Sequence, residues 1–162
     1  MRLNLTGMNI SLRPYHADDQ NFLFKLYAAT RQQEISAWGW SGAQQEAFLR
    51  MQFNAQQQSY GMTYGDAEHR IVMLDNSPIG RILVQHKSET ALLVDIALLP
   101  EYRGRGIGGG LLRDLIEHCN KERIAVRLQV LKTNPAQRLY EKLGFRKIGE
   151  DELYFQMERA IA

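Results

Sequence analysis

The sequence predicts a mixed α/β (α+β) fold with elements in the order β-α-α-β-β-β-α-β-α-β-β. Three observations carry this. Apolar segments of strand length alternate along the chain with segments of helical period. An apolar run, Ala91 to Leu99, feeds a glycine-rich turn that opens a periodic segment, Ile107 to Glu122. The 162 residues, 44% apolar and 23% charged, fit one globular domain, 1–162, large enough to bury a core.

Asn9 to Pro14 alternates, with Ile10 and Leu12 against Ser11 and Arg13, and reads as a first strand. Asp18 and Asp19 suit a helix start, and Phe22, Leu23, Leu26, Tyr27 and Thr30 follow at helical spacing. Trp38-Gly39-Trp40-Ser41-Gly42 is a break. Ser41 has the chemistry of an N-cap, and Phe48, Met51 and Phe53 predict a second helix ending near Ala55. Ser59 to Asp66 reads as a loop. His69 to Asp75 and Ile79 to His86 form a hairpin through the turn residues Asp75-Asn76-Ser77. After Ala91–Leu99 and the helix Ile107–Glu122 come a strand, Ala125 to Leu131, and a short helix from Asn134-Pro135 through Leu143, closed by Gly144. Phe145 to Gly149 and Leu153 to Glu158 make a last hairpin.

Composition excludes several classes. A formal charge of +2 is too small to argue for nucleic acid. The single cysteine, Cys119, rules out an internal disulfide framework and falls at core spacing from Leu115 and Ile116. Met1 to Gly7 is too polar and short for a signal peptide, and no run of about 18 apolar residues exists to span a membrane. A cytoplasmic protein without metal is the expectation.

The most specific stretch is Leu99-Pro100-Glu101-Tyr102-Arg103-Gly104-Arg105-Gly106-Ile107-Gly108-Gly109-Gly110. A strand feeding a glycine-rich turn into a helix aims several unpaired N–H groups at one point, where the helix dipole is positive. That geometry holds phosphate, and Arg103 and Arg105 add charge beside it. The spacing is not that of a dinucleotide fold, and no Gly-Lys-Ser/Thr of a P-loop is present. The alternative is a glycine-rich helix start with no ligand. Each glycine there costs about 1 kcal/mol relative to alanine, which close approach of a ligand would explain.

Arg103-x-x-Gly106-x-Gly108 resembles the acyl-CoA-binding motif of the GCN5-related N-acetyltransferase (GNAT) family. Leu139-Tyr140-Glu141-Lys142-Leu143-Gly144-Phe145 looks like that family's final helix, and the element order is also the family's. The resemblance covers essentially the whole chain and is most specific from Ala91 to Phe145. It implies a GNAT-type mixed, mostly antiparallel central sheet with helices on both faces. It also implies acetyl-CoA as acyl donor, a primary amine as acceptor, and direct attack of the amine on the thioester.

Site roles follow from the resemblance. Arg103, Gly104, Arg105, Gly106, Ile107, Gly108 and Gly109 would hold the pyrophosphate. A bulge would splay Ala91–Leu99 from Ala125–Leu131, and Ile96, Ala97 and Leu98 would line the pantetheine arm. The N–H of Leu98 would polarise the thioester carbonyl. Tyr140 would face the cofactor thiol and protonate the departing thiolate; read without the glycine loop, Tyr140 is an amphipathic core residue whose hydroxyl touches water. A phenol near pKa 10 can supply that proton to a thiolate near 8.5. Asn134 either reaches the pantetheine arm or only caps its helix. The family's usual glutamate base is replaced by Gln129, which cannot accept a proton. Asp95 is the leading substitute; its alternative is a structural carboxylate bonded to backbone or to an arginine such as Arg81. Glu34 and Glu46 are outside candidates. Trp38, Trp40, Tyr60 and Tyr64 offer aromatic surface for the acceptor, unless the tryptophans only pack the helix pair. The missing glutamate also leaves open a catalytically inactive acyl-CoA-binding sensor or subunit. A homodimer through an edge strand, Leu153–Glu158, is the one assembly the pattern offers.

Overall fold

The computed structural model describes residues 2–5 and 7–161. Its strands are β1 (Arg2–Leu5), β2 (Met8–Pro14), β3 (Glu68–Leu74), β4 (Ser77–His86), β5 (Thr90–Leu98), β6 (Ala125–Leu131), β7 (Arg146–Glu150) and β8 (Tyr154–Arg159). Its helices are α1 (Gln20–Ser36), α2 (Gly42–Thr63), α3 (Ile107–Glu122) and α4 (Gln137–Lys142). All strands join one eight-stranded sheet in the order β1-β2-β3-β4-β5-β6-β8-β7. Every neighbouring pair is antiparallel except β5 and β6, which run parallel.

Strand alternation assigns each face a helix layer. Ile71, Arg81 and Ala97 lie side by side on one face. Ile71 and Ala97 pack there with Leu23, Phe24, Leu49 and Phe53 of α1 and α2. On the other face Ile82, Val84, Leu93, Val126, Leu128 and Val130 bury against Leu112, Ile116 and Cys119 of α3 and Tyr140 of α4. Cys119 is wholly buried as a free thiol, and burial raises its pKa.

Local chemistry explains the helix boundaries. Ser41 Oγ accepts from the Gln44 N–H at 3.2 Å, and the Gln44 amide oxygen accepts from the Ser41 N–H at 2.9 Å. This reciprocal cap starts α2. Gly106 starts α3 at φ +82° and Arg123 ends it at φ +57°, so both ends are sharp.

Four expectations are corrected. A strand, β1, precedes the one expected first, so the order begins β-β-α-α. The second helix does not end near Ala55: it runs to Thr63 through the stretch read as a loop. The last helix begins at Gln137, after a turn that holds Asn134 and Pro135. Finally, Leu153–Glu158 is not an edge, because β8 lies between β6 and β7, and the edge at that end of the sheet is β7, exposed at every position.

Candidate active site

The β5–β6 pairing is short. It covers Thr90–Leu93 against Ala125–Leu128 and stops. On the other side of β5 the register with β4 shifts, with Leu83 opposite Asp95 but Val84 opposite Leu93. Val94 is therefore a bulged residue, and it bends the strand away from β6. Beyond it, β5 from Asp95 to Leu98 and β6 from Gln129 to Leu131 enclose an open wedge.

Ladder alternation decides which backbone groups face that wedge. The Leu99 N–H bonds to Ile79 O at 2.8 Å. Bonded pairs alternate along an antiparallel ladder. Ala97 and Asp95 therefore spend their backbone groups on β4, whereas those of Ile96 and Leu98 point into the wedge. The Leu98 carbonyl accepts from Arg103 Nε at 3.0 Å, which leaves its N–H available. The Leu98 side chain is buried in the core, so its contribution to the wedge is backbone. β4 and β5 come this close only because position 80 is glycine. A Cβ there would lie 2.3 Å from Ala97 O.

The glycine loop closes the top of the wedge. Pro100–Tyr102 form one 3₁₀ turn, and Gly104 and Gly106 take φ +72° and +82°. The first bond within α3 runs from the Gly110 N–H to Gly106 O. The amides of Gly106, Ile107, Gly108 and Gly109 therefore have no helical partner. A Cβ at Gly104 or Gly106 would meet nothing within 4 Å, so the cradle stands open. Donors of this kind at a dipole's positive end fit a diphosphate. Arg105 lies 5.5 Å from the Tyr102 ring centroid.

Tyr140 comes from α4. It is 8% exposed and packs edge-on against Phe145, with ring centroids 5.8 Å apart. Burial, and then the charge of Asp95, raise its pKa, so its hydroxyl holds its proton at neutral pH. Among the described residues that hydroxyl has no hydrogen-bond partner, yet it is not sealed from solvent. Asn134 is exposed, and its Oδ1 accepts from the Ala136 N–H at 2.9 Å, forming the turn before α4.

Asp95 lies on the sheet face under α2. Its Oδ2 is 2.8 Å from Nε of Arg81, whose side chain is buried. The other guanidinium nitrogens reach Gln57 Oε1 at 3.5 Å and Gln56 Oε1 at 3.3 Å. The Tyr60 ring lies 5.5 Å from that guanidinium. Burial is the main cause that pushes the Tyr60 pKa up to about 12, followed by the charge of Asp95. Tyr64 stacks edge-on with Tyr60 at 6.0 Å, and Tyr154 of β8 belongs to the same neighbourhood. Val126, Leu128 and Val130 face α3, so Gln129 and Leu131 point to the Asp95 face, and Tyr154 lies opposite Leu131.

Some expected residues lie elsewhere. Trp38 and Trp40 stack edge-on with each other and with Phe48 at 5.1–5.4 Å, and stay partly exposed at the α1–α2 tip. Tyr60 lies near the opposite end of α2, roughly 30 Å away at 1.5 Å per residue. The two aromatic groups are therefore separate. Because α2 continues past Ala55, no loop folds back to join them. Glu34 bonds to Arg31, and Glu46 lies 3.7 Å from Arg50, both on helix surfaces. Gln56, Gln57 and Tyr154 were not singled out from sequence, and only the length of α2 and the β6–β8 register bring them in. A cavity of about 450 Å³ between α3 and strands β2–β4, lined partly by His86 and His118, contains none of the wedge residues.

A strand wedge beside an amide-rich helix start defines an acyl-CoA-binding class of domain. Residues 66–147 match the family model described as acetyltransferase (GNAT) domain, and the chain belongs to that family. It is 35% identical over 82 residues to the [ribosomal protein bS18]-alanine N-acetyltransferase of Haemophilus influenzae, a stretch covering 50% of this chain and 56% of that relative. The PaiA N-acetyltransferase from Thermoplasma acidophilum, solved in complex with coenzyme A, superposes with a TM-score of 0.69 at 24% identity. The match covers 93% of this chain and 98% of that one. The ribosomal-protein-S18-alanine N-acetyltransferase from Escherichia coli gives a TM-score of 0.66 at 19% identity, covering 94% of each chain. Both likenesses establish the fold. Among the described residues no helix is long and apolar enough to cross a membrane.

Proposed function

We propose that the chain, acting as one domain, is an N-acetyltransferase that moves an acetyl group from acetyl-CoA to a primary amine, with Tyr140 as proton donor to the departing thiolate. One observation carries this reading. The wedge presents the unspent N–H groups of Ile96 and Leu98, adjoins the open amides of α3, and has a protonated tyrosine hydroxyl at its side. Acetyl-CoA, when bound, supplies the activated acyl group.

The protein's own groups do the rest. The amides from Gly104 to Gly109 hold the diphosphate, and the backbone of Ile96 and Leu98 pairs with the pantetheine arm. The Leu98 N–H, fixed in place before reaction, stabilises negative charge on the carbonyl oxygen, an effect commonly worth about 3 kcal/mol. Asp95 takes the amine's proton, directly or through water. Its Oδ2 is held by Arg81, its Oδ1 carries no hydrogen bond among the described residues, and its side chain is 28% exposed. Tyr60, Tyr64 and Tyr154 line the acceptor side, and the turn of Asn134 borders the donor side. Two relatives are named for the alanine of ribosomal protein bS18, so a peptide beginning with alanine is the first acceptor to try. A cytoplasmic setting suits the free, buried Cys119.

Tyr140→Phe tests the reading. Turnover, followed by thiol release over a panel of amines, should fall about 100-fold or more, since general acids typically contribute 10²–10⁴-fold. Coenzyme A affinity should hold. A wild-type protein that binds coenzyme A and turns over none of the amines would instead be an acyl-CoA sensor.

A further inference from the structure

We propose that Arg113, outside the glycine loop, is a further donor-site residue that binds the 3′-phosphomonoester of coenzyme A. This assignment rests on the acetyl-CoA reading above and adds a residue to it.

Arg113 stands on the second turn of α3, exposed. Helical side chains lean toward the N-terminus, over the residue four positions back. Here that residue is Gly109. A Cβ on Gly109 would lie 3.3 Å from Arg113 Nη1 and 3.8 Å from its Cζ, so the guanidinium lies on the bare backbone of the helix's first turn. Leu139 of α4 flanks the same spot, its Cδ1 3.7 Å from that Cβ position. The guanidinium therefore lies at the start of α3, next to the amides that have no helical partner.

It is also uncommitted. The natural forward partner, Glu117, stands 3.6 Å from Lys121 instead. Among the described residues Arg113 forms no ion pair and no side-chain hydrogen bond. Of the loop's own arginines, Arg103 spends its Nε on the Leu98 carbonyl, and the Arg105 guanidinium lies 5.5 Å from the Tyr102 ring centroid. If the backbone amides take the diphosphate, the ligand's remaining phosphate needs a cation nearby. A planar guanidinium fork, free to bond bidentately, suits a phosphomonoester.

Calorimetric titration with coenzyme A and with 3′-dephospho-coenzyme A separates the possibilities. Wild type should prefer coenzyme A by roughly tenfold, the worth of one exposed charge-assisted contact. Arg113→Ala should lose that preference while its affinity for the dephospho form stays within about twofold. Arg113→Lys should keep part of the preference, because the charge remains and the fork does not. An unchanged melting temperature shows each variant folded. Equal weakening toward both ligands, or no change toward either, overturns the assignment and leaves the acetyl-CoA reading standing. A wild type that binds neither ligand defeats both.

Discussion

Breaking the Arg81–Asp95 pair from its two sides should cost unequal amounts. Nε stands 2.8 Å from Oδ2, with the arginine side chain 6% exposed and the aspartate 28%. Asp95→Ala strands a guanidinium that cannot reach solvent. Removing one partner of a buried pair costs about 3–5 kcal/mol, and the long contacts to Gln56 and Gln57 place this case near about 3 kcal/mol. Arg81→Met leaves a carboxylate that can turn toward water, so the loss should be about 1–2 kcal/mol. The double variant leaves no charge behind, and methionine fills much of the volume; its cost should be about 2 kcal/mol. The singles should therefore overshoot the double by about 2–3 kcal/mol, the signature of coupled sites. Urea unfolding with unchanged slopes measures all three. For a domain of this size, Asp95→Ala should lower the melting temperature by roughly 6–12 °C. If Arg81→Met proved the costlier single, or the two costs simply added, the pair would not be the buried, mutually dependent unit described.

Gly80→Ala should destabilise by about 3 kcal/mol, because its Cβ would press first on the backbone oxygen of Ala97, at 2.3 Å, and also on Leu98 Cδ2, at 2.7 Å; thermal unfolding reads this, and a cost under about 1 kcal/mol would refute the contact. Ser41→Ala should cost about 1 kcal/mol through loss of the reciprocal cap, with Ser41→Asp recovering most of it in the same assay. Burial, and then Arg81, lower the His69 pKa from 6.5 to about 4, with Asp19 opposing. The native state thus keeps His69 neutral while the unfolded chain takes up a proton near 6.5. Stability is full above that pH and falls as pH drops from 6.5 to about 4. With the ring only partly shielded, the loss should be about 1–2 kcal/mol, and His69→Gln should flatten that part of the stability–pH curve. A slope unchanged in His69→Gln would assign the effect to other groups.

Local signals were legible in the sequence. Ile107–Glu122 and Ala125–Leu131 fall where the pattern puts them, because left-handed residues at Gly106 and Arg123 end the helix abruptly. The glycine loop could be read for the same reason, since its shape depends on its own backbone. Arg81 was legible from sequence as a partner for Asp95 in the alternative, structural reading of that carboxylate, and the ion pair is there. What escaped depends on distant partners. Gln56 to Thr63 stays helical with Tyr60 and the glutamines over Arg81, a contact no local window contains. β1 is four residues long, and its pairing with β2 is what makes it a strand. The placement of Trp38 and Trp40 was lost with the true length of α2. His69 carries no periodic or motif signal; only the folded structure buries its Nε2 with no partner among the described residues.

The sheet is two leaves, β1–β5 and β6–β8, stitched along their spine by four residue pairs between β5 and β6. So few stitches make this seam the natural crease for bending or breathing. A molecule laid into the gap would lengthen the binding by supplying the strand contacts that are lacking there. Amide exchange in β6 and β8 should then slow on ligation as much as exchange in the loop that touches the molecule, because the guest would fasten one leaf to the other.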